Sequence, residues 1–217
     1  MDRFETARKA MVEGQVRTGD VTRRALTEAM ARIPRERFVA RGLRDLAYAE
    51  LQLELAPGRR MLDPRSFAKM VQAAEIDRDD LVLDVGCLTG YSAAVISRLS
   101  GAVLALEQDE ALAGQARDRL SELGFDTVIV ETGALAEGAP GSAPFDAIVV
   151  EGAVEKRPDA LLDQLKDGGR LVAIHREGPY GRCRVWTRTG AQASHRVAFD
   201  ADAPVLPGFD VAPAFTF

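Results

Sequence analysis

The stretch Leu81–Tyr91, LVLDVGCLTGY, decides the fold. An apolar run closes on Asp84 and enters a turn punctuated by Gly86 and Gly90, and residues 92–100 then read as a helix. A strand, a tight glycine turn and a helix start make a cradle for a nucleotide-type cofactor, because free backbone N–H groups point at the ligand. A glycine is usual in the middle of such a turn; here the position holds Leu88. The G-x-G-x-x-G spacing of nicotinamide-dependent dehydrogenases is missing from Gly86–Tyr91, which disfavours that chemistry.

Beyond the turn, short apolar runs alternate with helical stretches. Strands are expected at 81–85, 102–106, 127–130, 147–150 and 170–174, helices at 92–100, 110–123 and 159–165, and a closing antiparallel pair at 183–187 and 195–198. Such alternation indicates a mostly parallel α/β sheet covered on both faces. Ligands bind these sheets beyond the carboxyl ends of the strands. Asp84–Gly90 falls there, and so does Glu107, which closes the second strand. A carboxylate at that point can accept hydrogen bonds from both hydroxyls of a ribose.

Before residue 76 the pattern is helical. Phe4, Ala7, Met11 and Val16 follow helical spacing. Asp20 is expected to cap a second helix, which ends at Ile33-Pro34 because the residue before proline avoids the α region. Pro57-Gly58 marks a loop, and Asp63-Pro64 opens a helix to about Glu75. Residues 136–143, rich in Gly, Pro and Ala, read as a surface loop. The tail from Pro204, with Phe209, Phe215 and Phe217, is expected to dock as a last strand or to cover a partner surface.

The 217 residues, 47% hydrophobic and 28% charged, suit one soluble domain. No apolar run approaches membrane-spanning length. An apolar leader is not seen after Met1, and Cys87 and Cys183 make neither a disulfide framework nor a zinc cluster, so a cytoplasmic setting is expected. Net charge is −5, yet residues 1–60 carry 13 Arg/Lys against 9 Asp/Glu. That segment either attracts an acidic ligand or is a solvated helical face. The acidic balance argues against a nucleic-acid partner.

Further matches run along the chain in order. Met11-Val12, Gln15, Ala29-Met30 and Ile33–Val39 come first, then Ala47-Tyr48, Leu53, Pro64, Ala68 and Met70. Gly86, Gly90-Tyr91, Ala93-Ala94-Val95 and Glu107 follow, then Ala143–Ile148, Leu162, Gln164-Leu165 and Gly168–Leu171. Their order and spacing resemble the protein-L-isoaspartate O-methyltransferases, a class I S-adenosylmethionine-dependent family. The resemblance implies a Rossmann-like three-layer sandwich (residues 76–217) with an N-terminal helical cover on the substrate side (residues 1–75), together one domain. It also implies methyl transfer from S-adenosylmethionine to the free α-carboxyl of L-isoaspartyl residues in damaged proteins. Asp84, Gly86, Leu88, Gly90, Tyr91, Glu107 and Ala134 are the implied cofactor-binding positions. No metal is implied, because the sulfonium carbon is already electrophilic.

Three positions depart from the family pattern. Leu88 replaces the middle glycine, and a side chain there blocks the cofactor or strains a positive φ. Ala134 replaces an acid that would receive the adenine amino group, a contact worth about 0.5–1.5 kcal/mol. Arg60-Met61-Leu62 replaces the Thr-Ile-Ser that handles the substrate. Arg59 or Arg60 would then bind the carboxylate, as guanidinium does well, or stand as solvated loop arginines. These departures leave a second reading open, a non-catalytic descendant serving as a binding or scaffold module. His175 is weighed as a base, though a carboxylate nucleophile needs none. His195, Trp186, Cys87 and Tyr91 read as packing residues.

Overall fold

In the computed structural model, which describes residues 2–211, helix α1 (Arg3–Met11) starts at Asp2, whose carboxylate accepts from the Phe4 amide at 3.4 Å. A π-helical turn (Val12–Val16) and a 3-10 turn (Arg17–Gly19) follow. Asp20 then takes a left-handed φ of 65°, so it ends this run and does not cap the next helix as the sequence suggested. Helix α2 (Arg24–Arg32) takes its cap from elsewhere: Gln72 Oε1 accepts from the Thr22 and Arg23 amides at 2.8 and 3.1 Å. The helix stops at extended Ile33, before Pro34, as expected.

Two 3-10 turns, Arg35–Phe38 and Arg41–Leu46, lead into an antiparallel hairpin of β1 (Leu53–Ala56) and β2 (Arg59–Met61). The sequence marked the Pro57-Gly58 turn but not its strands, which are too short to show a period. Helix α3 (Pro64–Ala73) has Pro64 in its first turn, and Asp63 accepts from the Ser66 amide at 2.9 Å. The buried Arg35 ties these pieces together. Its Nε donates to Ala47 O at 2.8 Å and its Nη2 to Leu62 O at 2.6 Å, while its guanidinium lies 4.6 Å from the Tyr91 ring centroid.

The remaining elements are β3 (Leu81–Val85), α4 (Tyr91–Ile96), β4 (Ala102–Glu107), α5 (Glu110–Glu122), β5 (Val128–Thr132), β6 (Phe145–Val154), α6 (Asp159–Leu162), β7 (Leu165–Glu177), β8 (Tyr180–Thr189) and β9 (Gln192–Asp200). Seven strands form one sheet in the order β5-β4-β3-β6-β7-β8-β9. The first five are parallel, and β8 and β9 are antiparallel, as expected. Asp146 pins three of these strands: it accepts from the Leu81 amide at 2.8 Å and from Lys166 Nζ at 2.8 and 2.7 Å. Helix α4 is shorter than expected. The Ser97 and Ser100 hydroxyls bond back to Ala94 O and Ile96 O, and Leu99 N reaches Ile96 O, which tightens and ends the helix.

Alternation along the strands divides the core. Val82, Val103, Ala105, Val149 and Val172 face the N-terminal helices together with α4 and α5. Leu83, Val85, Leu104, Leu106, Ile148 and Val150 face α6, the 133–144 connection and the segment after β9. That last segment completes the second layer. Val205 forms a single parallel bridge to Ala153, and Leu206 and Phe209 are buried. The tail therefore docks through Phe209, by an isolated bridge and not as the last strand that was one expectation, while Phe215 and Phe217 lie outside the described residues. No helix among the described residues is long and apolar enough to cross a membrane. Replacing the α3 cap, Asp63→Ala, is expected to lower stability by about 1 kcal/mol in a urea titration.

Candidate active site

Strand order reverses between β3 and β6, and a crevice opens at such a switch point beyond the strand ends. The glycine turn lies there. Gly86, Leu88 and Gly90 all have positive φ, at 82°, 53° and 94°. The strain foreseen for Leu88 is therefore present, at a cost of about 1–2 kcal/mol. Its side chain does not project into open space, however: Leu88 is buried and lines, with Met61, Leu62 and Phe67, a chamber of only about 10 Å³. That is room for one water at most.

Glu107 ends β4 fully buried, and its carboxylate is saturated. Oε1 accepts from Arg59 Nη1 at 2.8 Å, Gln108 N at 2.8 Å and Asp109 N at 3.0 Å. Oε2 accepts from Arg59 Nη2 at 2.8 Å and Leu88 N at 2.9 Å. Arg59 is thus neither free for a substrate carboxylate nor a solvated loop residue; the β1–β2 hairpin delivers it onto Glu107 as a bidentate pair. Arg60 alternates to the other face, exposed and 3.2 Å from Glu54. Met61 and Leu62 are core residues. The Arg60-Met61-Leu62 triplet therefore presents only Arg60 to solvent.

The glycine surface of the turn is also covered. A Cβ added at Gly86 would lie 3.1 Å from Leu206 Cδ1 and 3.3 Å from Arg59 Nη2. At Gly152, where β6 outruns its pairing with β3, a Cβ would lie 2.6 Å from Leu206. Leu206 thus sits across the switch point. Ala134 is exposed on the loop after β5, where Gly133 N donates to Glu107 O at 3.0 Å. Tyr91 packs into Phe38 and Phe67, with ring centroids at 5.7 and 5.6 Å, and lines the same small chamber as Leu88. His175 and His195 flank Trp186 on β7–β9, at 6.2 and 6.0 Å. Burial lowers the His175 pKa.

Asp84 is wholly buried. Ser92 Oγ donates to its Oδ2 at 2.6 Å, and Oδ1 has no partner. Loss of solvent pushes its pKa up to about 7; the Ser92 hydrogen bond opposes that shift and the Glu107 charge adds to it. Glu151, at the end of the apolar run on β6, is a further buried acid. Desolvation and the Asp84 charge raise it well above the carboxylate range, Arg35 opposing. The sequence reading passed over Glu151, although an acid closing an apolar strand is the signal that flagged Asp84 and Glu107.

A raised acid binds its proton more tightly in the folded state, so stability falls as pH rises from about 4 toward 7. Asp84→Asn keeps an acceptor for Ser92 and removes that slope. Relative to the unsubstituted protein, the variant is expected to gain about 1–3 kcal/mol at pH 8 over its value at pH 5, read from urea unfolding at both pH values.

S-adenosylmethionine, the donor implied by the resemblance, needs Glu107 for its ribose and an open glycine turn. Five donors already occupy a carboxylate that offers about four lone-pair positions, and Leu206 covers Gly86. As arranged here, these residues do not fit the donor.

The family model for protein-L-isoaspartate(D-aspartate) O-methyltransferase matches residues 6–185. A protein-L-isoaspartate O-methyltransferase of Ignicoccus hospitalis is 39% identical over 81% of this chain and 85% of its own length. One of Opitutus terrae is 42% identical over 76% of this chain and 71% of its own. Among solved structures, a protein-L-isoaspartate O-methyltransferase superposes with a TM-score of 0.81 at 23% identity, over 93% of this chain and 66% of that one. A Plasmodium falciparum protein described as a putative member, in complex with S-adenosyl-L-homocysteine, gives 0.77 at 17%, over 92% and 97%. At those identities the two structures speak to the fold, which is the Rossmann-like methyltransferase sandwich. With the model spanning most of its length and relatives near 40% identity, the chain belongs to the protein-L-isoaspartate O-methyltransferase family.

Proposed function

We propose that this chain is a cytoplasmic carboxyl O-methyltransferase acting on L-isoaspartyl residues of damaged proteins, with S-adenosylmethionine, the cofactor of its family, as methyl donor. The observation that carries this reading is the identity of 39–42% to named family members over most of the chain. The placing of the glycine turn, Asp84 and Glu107 at the β3/β6 switch point supports it, since that is where an α/β sheet takes a nucleotide-type ligand. The reaction asks little of acid–base side chains, because the acceptor carboxylate is ionised at neutral pH and alignment with water excluded supplies the rate. Arg60 is the hairpin's exposed cation, on the face away from Glu107, and its weak surface pairing with Glu54 leaves it able to attract an acidic peptide.

A second reading, a non-catalytic binding module, is favoured by one observation, the saturation of Glu107 by Arg59 and three backbone amides. Methyl-labelled S-adenosylmethionine separates the two. Label is expected on an isoaspartyl peptide and not on its aspartyl twin, with Arg60→Ala raising the peptide KM severalfold. Absence of label from both peptides, at donor concentrations up to about a millimolar, sinks the methyltransferase reading.

A further inference from the structure

We infer that this chain holds its own donor groove shut, with Arg59 and Leu206 as an internal plug that must withdraw before the donor can enter. The inference rests on the methyltransferase reading of the groove.

Three observations converge on it. Arg59 spends both terminal nitrogens of its guanidinium on Glu107, the acid that the family resemblance implies for the ribose. Leu206 lies against Gly86 and Gly152 together, so one side chain covers both small residues at the switch point. The segment carrying Leu206 is stitched to the overhanging end of β6 by backbone hydrogen bonds: Ala153 N to Pro204 O at 2.9 Å, Leu206 N to Ala153 O at 2.9 Å and Glu155 N to Phe209 O at 3.0 Å.

The space itself is divided, not lost. An open cleft of about 630 Å³ remains on the outer side, lined by Gly58, Gln108, Asp109, Pro207 and Asp210. Arg59 and Leu206 line this cleft as well, and both also touch Gly86. These two side chains are therefore the wall between the cleft and the glycine turn. Each is carried by an element outside the pairing of the seven-stranded sheet: the hairpin of three- and four-residue strands, and the segment after β9, which is held to the end of β6 by the backbone hydrogen bonds just given.

The test uses the full chain and S-adenosylhomocysteine as probe, in titration calorimetry, with Leu206→Ala, Arg59→Gln and the double variant beside the unsubstituted protein. Folding of each is checked by its near-UV circular dichroism. Every folded variant is expected to bind the probe at least tenfold more tightly than the unsubstituted protein. In the unsubstituted protein, saturating probe is expected to deprotect the Leu206 and Ala153 amides in hydrogen exchange, a readout that does not depend on any variant folding. Folded variants that bind no more tightly, or a probe-saturated protein whose Leu206 and Ala153 amides stay protected, overturn the plug. Variants that gain affinity yet never methylate an isoaspartyl peptide leave the plug standing and overturn the methyltransferase reading. A protein that methylates with those amides still protected does the reverse.

Discussion

The structure is organised around a buried bidentate ion pair, Arg59 on Glu107. Two buried charges are costly to desolvate, and the pair persists only because its geometry is good and the leftover lone pairs are met. Here three backbone amides complete the carboxylate, one of them from Leu88 in the glycine turn. The interaction thereby ties the β1–β2 hairpin, the turn and the end of β4 into one unit. Breaking one partner would leave an uncompensated buried charge, an effect of about 3–5 kcal/mol. The hairpin, too short to be stable alone, is held by Arg59 together with its buried Leu53 and Met61.

Other features of the crevice follow the same direction. Leu62 and Leu88 stand where the family resemblance implies a hydroxyl and a glycine, and both are core residues lining a nearly filled chamber. Asp84 and Glu151 are both buried beside this packing, and the loss of solvent raises the pKa of each. Leu206 adds an apolar cap from the far end of the chain. The crevice is thus packed as interior, by residues from four separate stretches of sequence: the hairpin end, the glycine turn, β6 and the segment after β9.

The N-terminal segment is fastened by comparable means. Arg35 bridges two backbone carbonyls and packs on Tyr91, while Arg8, Tyr48 and Glu36 form a linked polar group beneath α1. Desolvation and the Glu36 hydrogen bond raise the Tyr48 pKa, so its hydroxyl stays a donor. The basic excess of residues 1–60 is in part accounted for by such contacts: Arg8, Arg35 and Arg59 are structural cations, not a free electropositive face.

The sequence by itself determined the sheet, because strand and helix periods are local properties of neighbouring residues. It also determined the glycine turn, the terminal acids Asp84 and Glu107, and the family to which the ordered matches pointed. The local pattern failed where one side chain overrode it: Gln72, about fifty residues away, capped α2 in place of Asp20, and the back-bonding hydroxyls of Ser97 and Ser100 shortened α4 from within. Only the tertiary structure decided what the site residues do. Arg59 is 48 residues from Glu107, and Leu206 is far from both Gly86 and Gly152 in the chain. No spacing rule connects such positions. Their meeting depends on the hairpin and the terminal segment folding over the same strand ends, where packing and desolvation, set by the whole molecule, assign each side chain its partner.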